Sequence, residues 1–183
     1  MADRLFDEGR LEDVLEERFG RADVVVDGLS AKALSRRAGA VKTALAELAV
    51  EVPAISRDKA KIELAEGDPV SARLRIPYTG DPAMFGLRPS EYSLSPPSGA
   101  VSDDDGVLEF ARDFELGTPP EEISAWAARS ADSVDQYLHW QAADLGLHRL
   151  RLQERVEELI DRRRDRIDSV RALQAELDDV KDV

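Results

Sequence analysis

The chain has no cysteine, which excludes disulfide staples, thiolate metal sites and cysteine nucleophiles. Lysine is scarce: it stands only at 32, 42, 59, 61 and 181, so arginine supplies the other 20 cations. An Arg- and Ala-rich, Lys-poor composition fits a GC-rich bacterial genome, with salt adaptation as the alternative source of the acidity. Aromatic residues make up 5% of the chain, and His139 and His148 are the only histidines. They lie nine apart, which does not match the i, i+4 spacing of a helical zinc pair. No run approaches the roughly 20 apolar residues of a membrane span. The first residues, Met1 to Glu8, are charged and lack the apolar run of a signal peptide. A soluble cytoplasmic protein without membrane contact is the expectation.

What is abundant is acid. The formal net charge is −13 over 183 residues, which argues against a general binder of phosphate backbones. The charge is uneven. Residues 1–20 hold seven acids against three Arg, and 99–122 hold eight acids against Arg112 alone. Residues 148–171 hold eight Arg against six acids.

The last third carries the clearest pattern. From Ile123 through Ala127, Val134, Tyr137, Leu138, Leu145, Leu152, Val156, Leu159, Ile167, Val170, Leu173, Leu177 and Val180, apolar residues recur at 3-4 spacing. Such a stripe lies on one helical face and has to be buried against something. Its length points to a coiled coil or a helical hairpin. Thr118-Pro-Pro-Glu121 reads as its start: Thr118 as cap, Pro119 at the first helical position, Glu121 closing a capping box. Gly146 is the natural hinge.

Upstream, residues 1–20 read as an amphipathic helix with Leu11, Val14, Leu15 and Phe19 on one face and Gly20 as stop. Asp23 to Asp27 is ambiguous between helix and strand. Leu34, Ala38, Val41, Leu45 and Leu48 predict a helix over 29–50, capped by Ser30 or Asp27 and ended before Pro53. The period then changes to two. Val70, Ala72, Leu74 and Ile76 alternate with polar residues up to Pro77, and Lys59–Leu64 reads as the neighbouring strand across the turn at Glu66–Pro69. Leu108, Phe110, Phe114 and Leu116 form another strand, entered by the turn Ser102-Asp-Asp-Asp-Gly106, and Tyr92 and Leu94 a short further one. The expected fold is α+β, a small antiparallel sheet packed with an N-terminal helix and a long C-terminal helical arm. Its segments are 1–50 (N-terminal helices), 51–117 (β region with a Pro/Gly-rich loop) and 118–183 (arm), one domain plus arm. Helix 29–50 is the expected partner of 119–145.

Chemical motifs are sparse. Asp103–Asp105 invites a metal, but consecutive carboxylates point apart, and a solvated turn is the preferred reading. There is no phosphate-loop or dinucleotide pattern, no nucleophile elbow, and no catalytic, cofactor or metal residue to name. The candidates are for partner binding. Arg88 and Tyr92 lie in the loop 77–99, whose bland alternative is a wrap over a sheet edge. Trp140 clusters with Trp126 and Tyr137, and core packing is preferred over an interface. His148 sits in the apolar stripe. Arg162, Arg163, Arg164 and Arg166 form the dense basic run, interleaved with Asp161, Asp165 and Asp168 as on a solvated helix face. Arg163 occupies an apolar position of the repeat and is expected to pair with an acid on a facing helix.

Ile76-Pro-Tyr-Thr-Gly-Asp81, with Phe85, Arg88-Pro-Ser90, Ser95-Pro-Pro-Ser-Gly99, Tyr137-Leu138 and Ile160-Asp-Arg-Arg163, resembles a module found ahead of restriction-endonuclease-like nuclease domains in some bacterial proteins. The resemblance covers about residues 70–170. Those nuclease domains carry their acid cluster and lysine after this region, where this chain stops, so no catalytic residue carries over. The resemblance implies an accessory module, stand-alone or part of a longer chain.

Three functions follow as expectations. The first is a non-enzymatic interaction or oligomerisation module, docking itself as a homodimer or another protein through residues 145–180. The second is a nucleic-acid accessory protein acting with a nuclease through the Arg-rich segment 149–171, disfavoured by the net charge. The third is an enzyme using carboxylates around Asp81 or Asp103–Asp105.

Overall fold

The computed structural model describes residues 3–181, with side chains over 4–178. In chain order the elements are β1 (Asp3–Arg4), β2 (Gly9–Arg10), α1 (Leu11–Gly20), α2 (Ala22–Gly28), α3 (Ala31–Leu34), α4 (Arg37–Glu47), β3 (Ala54–Ile55), β4 (Lys61–Ala65), β5 (Val70–Thr79), β6 (Leu87–Arg88), β7 (Ser98–Ser102), β8 (Val107–Phe114) and α5 (Pro120–Lys181). The α+β class is as expected. The long helix is one element of 62 residues, so the hairpin alternative does not occur among the described residues.

The chain forms two compact units that cut across the three sequence segments. The first joins residues 1–14 to 51–145; the second joins 15–50 to 146–183. The boundary in α5 falls at Gly146, where the helix continues unbroken.

The first unit is built on an antiparallel sheet of strand order β1-β7-β8-β5-β3, with β4 also pairing β5. The long pair sets the register: Leu74 lies opposite Phe110 and Ile76 opposite Leu108. Period-two alternation puts Ala72, Leu74 and Ile76 of β5 with Leu108, Phe110 and Phe114 of β8 on one buried face. Trp126, Ala127, Ala131, Val134, Tyr137 and Leu138 of α5 close that core. Pro77 does not end its strand. β5 runs on to Thr79 because the Pro77 carbonyl still accepts from the Ser56 N–H at 2.7 Å, and β3 pairs with Tyr78 and Thr79. Leu116 lies beyond β8 and is exposed. Ser102–Gly106 makes the expected hairpin turn, with Gly106 at φ 61°.

Three further local expectations fail in this unit. Residues 3–10 are not helical: β1 pairs β7, β2 pairs β6, and α1 starts only at Leu11. The apolar face of Leu11, Val14, Leu15 and Phe19 lies wholly within α1, and the residues before it go to strand pairing. Tyr92 and Leu94 belong to no strand. Thr118 does not cap α5; its hydroxyl donates to the Glu115 carbonyl at 2.8 Å, and the helix begins at Pro120.

In the second unit, Ala22, Val25 and Val26 of α2, Leu34 of α3, and Ala40 and Ala44 of α4 with Leu48 bury against Leu152, Val156, Leu159 and Ile160 of α5. The predicted helix 29–50 is two helices. Ser30 caps α3, accepting from Ala33 N at 3.2 Å, but the Ser35 hydroxyl donates back to the Lys32 carbonyl and the chain breaks at Arg36. Such side-chain bonds compete with helix continuation. The break resets the helical phase, so Ala40 and Ala44 face the core while Ala38 is exposed. The partner of α4 is therefore residues 152–160 rather than the expected 119–145.

Candidate interaction surface

The buried stripe of α5 is interrupted by two polar residues, Gln141 and His148, and the first of them has a structural job. Gln141 is fully buried, and its Nε2 donates to the carbonyls of Met84 and Leu87 at 2.8 and 2.7 Å. Tyr137, four residues earlier, donates through its hydroxyl to Ser93 O at 2.8 Å and accepts from Ser93 N at 3.0 Å. Asp144 accepts from Ser90 N at 2.8 Å. Spacings of four and three place all three side chains on one helical face. Together they fasten loop 77–99 to α5, so its long excursion is a tied surface wrap. Gln141 and Asp144 were missed in the sequence. The signal was the gap in the apolar repeat at 141, between Leu138 and Leu145.

Arg88 and Tyr92 do meet in that loop: the guanidinium lies 4.8 Å from the ring centroid. They line a shallow cavity with Arg10, Glu12, Pro89 and Ser90. Trp140 is half-buried and packs edge-on against Tyr137 at 5.1 Å. Asp81 accepts from Ala83 N and caps a short 3-10 turn, a local role. Asp103–Asp105 occupy the β7–β8 turn, where Asp105 pairs with Arg75 at 3.3 Å. Among the described residues no three acids or histidines converge to hold a metal ion.

His148 is buried in the second unit beside Phe19, and its Nε2 has no hydrogen-bond partner among the described residues. Burial, then the charge of Arg151, pushes its pKa below the ordinary 6.5, with Glu16 opposing. A folded pKa lowered in this way gives stability that is full above pH 6.5 and lost as the pH falls below it, because the unfolded chain takes the proton first. The expected result is that His148→Leu raises stability by about 1 kcal/mol at pH 7, by removing an unsatisfied buried group, and by more at pH 5.5. Thermal melts at both pH values test this; equal pH dependence in the two chains would refute it.

The basic run divides. Arg162 pairs with Glu158 at 3.4 Å within its own helix. Arg163 reaches α2, donating to the Val26 carbonyl and lying 4.0 Å from Asp27, an acid on a facing helix as its place in the repeat suggests. Arg164 and Arg166 form no ion pair among the described residues. Arg164 lines a groove with Ala31, Leu34, Ser35, Ile167, Asp168 and Arg171. Arg37 is a further anchor that sequence reasoning missed. Its guanidinium takes Asp161 through two bonds of 2.8 and 2.9 Å and Glu157 at 3.2 Å. That pairing holds Asp161 below the usual carboxylate range; Glu157 is held down by Gln153 first and by Arg37 second.

Beyond Ile167 the stripe is uncovered. Val170, Leu173 and Leu177 are 60%, 59% and 59% exposed. Val180 lies outside the described side chains. No family model, no curated protein and no solved structure matches this chain. No helix among the described residues is long and apolar enough to cross a membrane.

Proposed function

We propose that the chain is a non-enzymatic protein–protein interaction module whose contact surface is the end of α5. One observation carries this reading. The apolar stripe is buried from Leu152 to Ile160 and continues with Val170, Leu173 and Leu177 open to water. Three large apolar residues aligned on one helix face differ from scattered surface leucines, because a single partner helix covers them all. A nucleic-acid role draws on Arg164 and Arg166; the interleaved Asp161, Asp165 and Asp168 and the net charge of −13 weigh against it.

The test is the size of the native assembly. In a lysate of the source cell, the chain is expected to elute well above its 20.2 kDa monomer. Val170→Glu, Leu173→Glu and Leu177→Glu combined should return it to monomer size. All three sites are exposed, so the stability of the isolated monomer should hardly move, in line with surface changes of about ±0.5 kcal/mol. Identical elution of both chains at monomer size would sink the reading.

A further inference from the structure

We propose that the occupant of the exposed stripe is the same stripe of a second copy, lying antiparallel. The inference rests on the interaction reading above and names its partner. The argument is the charge distribution along this end of α5. Residues 161–171 carry Arg162, Arg163, Arg164, Arg166 and Arg171 against three Asp. Residues 172–178 carry Glu176 and Asp178 and no cation. The segment is basic at its start and acidic at its end, with Val170, Leu173 and Leu177 running across the change of sign.

Two such segments side by side in parallel bring like charge to like charge. Reversed, each basic half meets the other copy's acidic half, and the fit is the same from both sides, as a two-fold dimer demands. The helical repeat of 100° per residue makes this specific. Arg171 and Asp178 project from the same flank of the stripe, about 100–120° from its centre. Equivalent flanks meet in an antiparallel pair. A register that sets Leu173 of one copy against Leu177 of the other brings Arg171 level with the second copy's Asp178 on the same flank, opposite charges facing one another across the pair, twice by symmetry. The internal partners do not block this: Arg171 reaches Asp168 only at 3.5 Å on the open surface, and Asp178 accepts from the neutral Gln174.

The experiment uses the purified full chain. Light scattering and sedimentation should find a monomer–dimer equilibrium that weakens with salt. Arg171→Asp alone and Asp178→Arg alone should each weaken the dimer by about 3- to 10-fold, from two exposed pairs turned repulsive. The combined swap should return it to within about 2-fold. Orientation is read separately. With no native cysteine, Asp165→Cys takes a single spin label per chain. An antiparallel dimer centred near residue 175 separates the two labels by about 30 Å along the axis, whereas a parallel pair holds them near the interhelical distance of about 10 Å.

A dimer with the long separation and charge-swap rescue supports the proposal. A dimer with the short separation overturns the antiparallel arrangement and leaves the interaction reading standing. A dimer indifferent to Leu173→Glu forms elsewhere on the molecule and overturns the proposal. A purified monomer at several hundred micromolar, beside a large assembly in the lysate, overturns self-pairing and assigns the stripe to a different protein. The interaction reading itself falls only on the lysate comparison.

Discussion

Tyr137→Ala is expected to destabilise the first unit by about 3–5 kcal/mol, the usual cost of removing a large buried aromatic. The ring is fully buried and stacks on Phe6 at a centroid distance of 4.6 Å. Phe6 sits at φ 59°, a left-handed conformation that costs a non-glycine residue roughly 1–2 kcal/mol and depends on its neighbours to persist. The hydroxyl also makes both bonds to the Ser93 backbone. One substitution therefore opens a cavity, frees Phe6 and loosens loop 77–99 at Ser93, where Gln141 and Asp144 do not hold it. Tyr137→Phe separates these effects: it keeps the stack and loses only the loop bonds, for about 1–2 kcal/mol. Denaturant unfolding gives both values. Equal losses in the two variants would show that the hydrogen bonds, rather than the packing, carry the site.

Val156→Asp is expected to do comparable damage in the second unit. Val156 has no exposed surface and lies among the residues that α2, α4 and α5 bury together. A carboxylate there has no cation or donor arranged for it, and an uncompensated buried charge costs about 3–5 kcal/mol. Hydrogen exchange should show lost protection in α2 and α4. The same change at Leu173, on the same helix but 59% exposed, should leave the monomer's stability within about 0.5 kcal/mol of wild type. If Leu173→Asp unfolds the monomer as Val156→Asp does, the assignment of buried and open stretches of α5 is wrong.

The residues that announced their environments were those with strong periods. Alternation in β5 and β8 and the 3-4 stripe of α5 each require one apolar face, and both were legible. Local rules were weaker wherever a distant partner could override them. Residues 3–10 carry an acidic, helix-like composition, yet pairing with β7 and β6 draws them into strands. Pro77 looks like a stop, but a strand tolerates proline where the missing N–H costs no bond and the carbonyl keeps its donor. Ser35 broke a helix that the apolar spacing alone would have continued. The interaction surface was half legible. The stripe was visible, but which part of it α2, α3 and α4 cover was not, because their covering residues are a hundred positions away. The candidate residues in loop 77–99 were visible as types; the polar anchors Tyr137, Gln141 and Asp144 that tie the loop down appeared only as gaps and neighbours in an apolar repeat.

The pairing of residues 15–50 with 146–183 has a consequence for how the chain is made. Helices α2, α3 and α4 leave the ribosome early, yet the residues of α5 that complete their core, Leu152 to Ile160, are synthesised more than a hundred residues later. Short helices without a packed face are marginal in water. Until then Val25, Val26, Leu34 and Leu48 have only one another and their neighbours in α2–α4 to bury against, and the nascent chain carries an apolar patch through most of its synthesis, the kind of surface that recruits chaperones. The first unit, drawn from residues 1–14 and 51–145, has all its parts well before the second. Removing the chain after Gly146 is thus no simple deletion of an arm. It leaves the N-terminal helices permanently in the state they otherwise pass through.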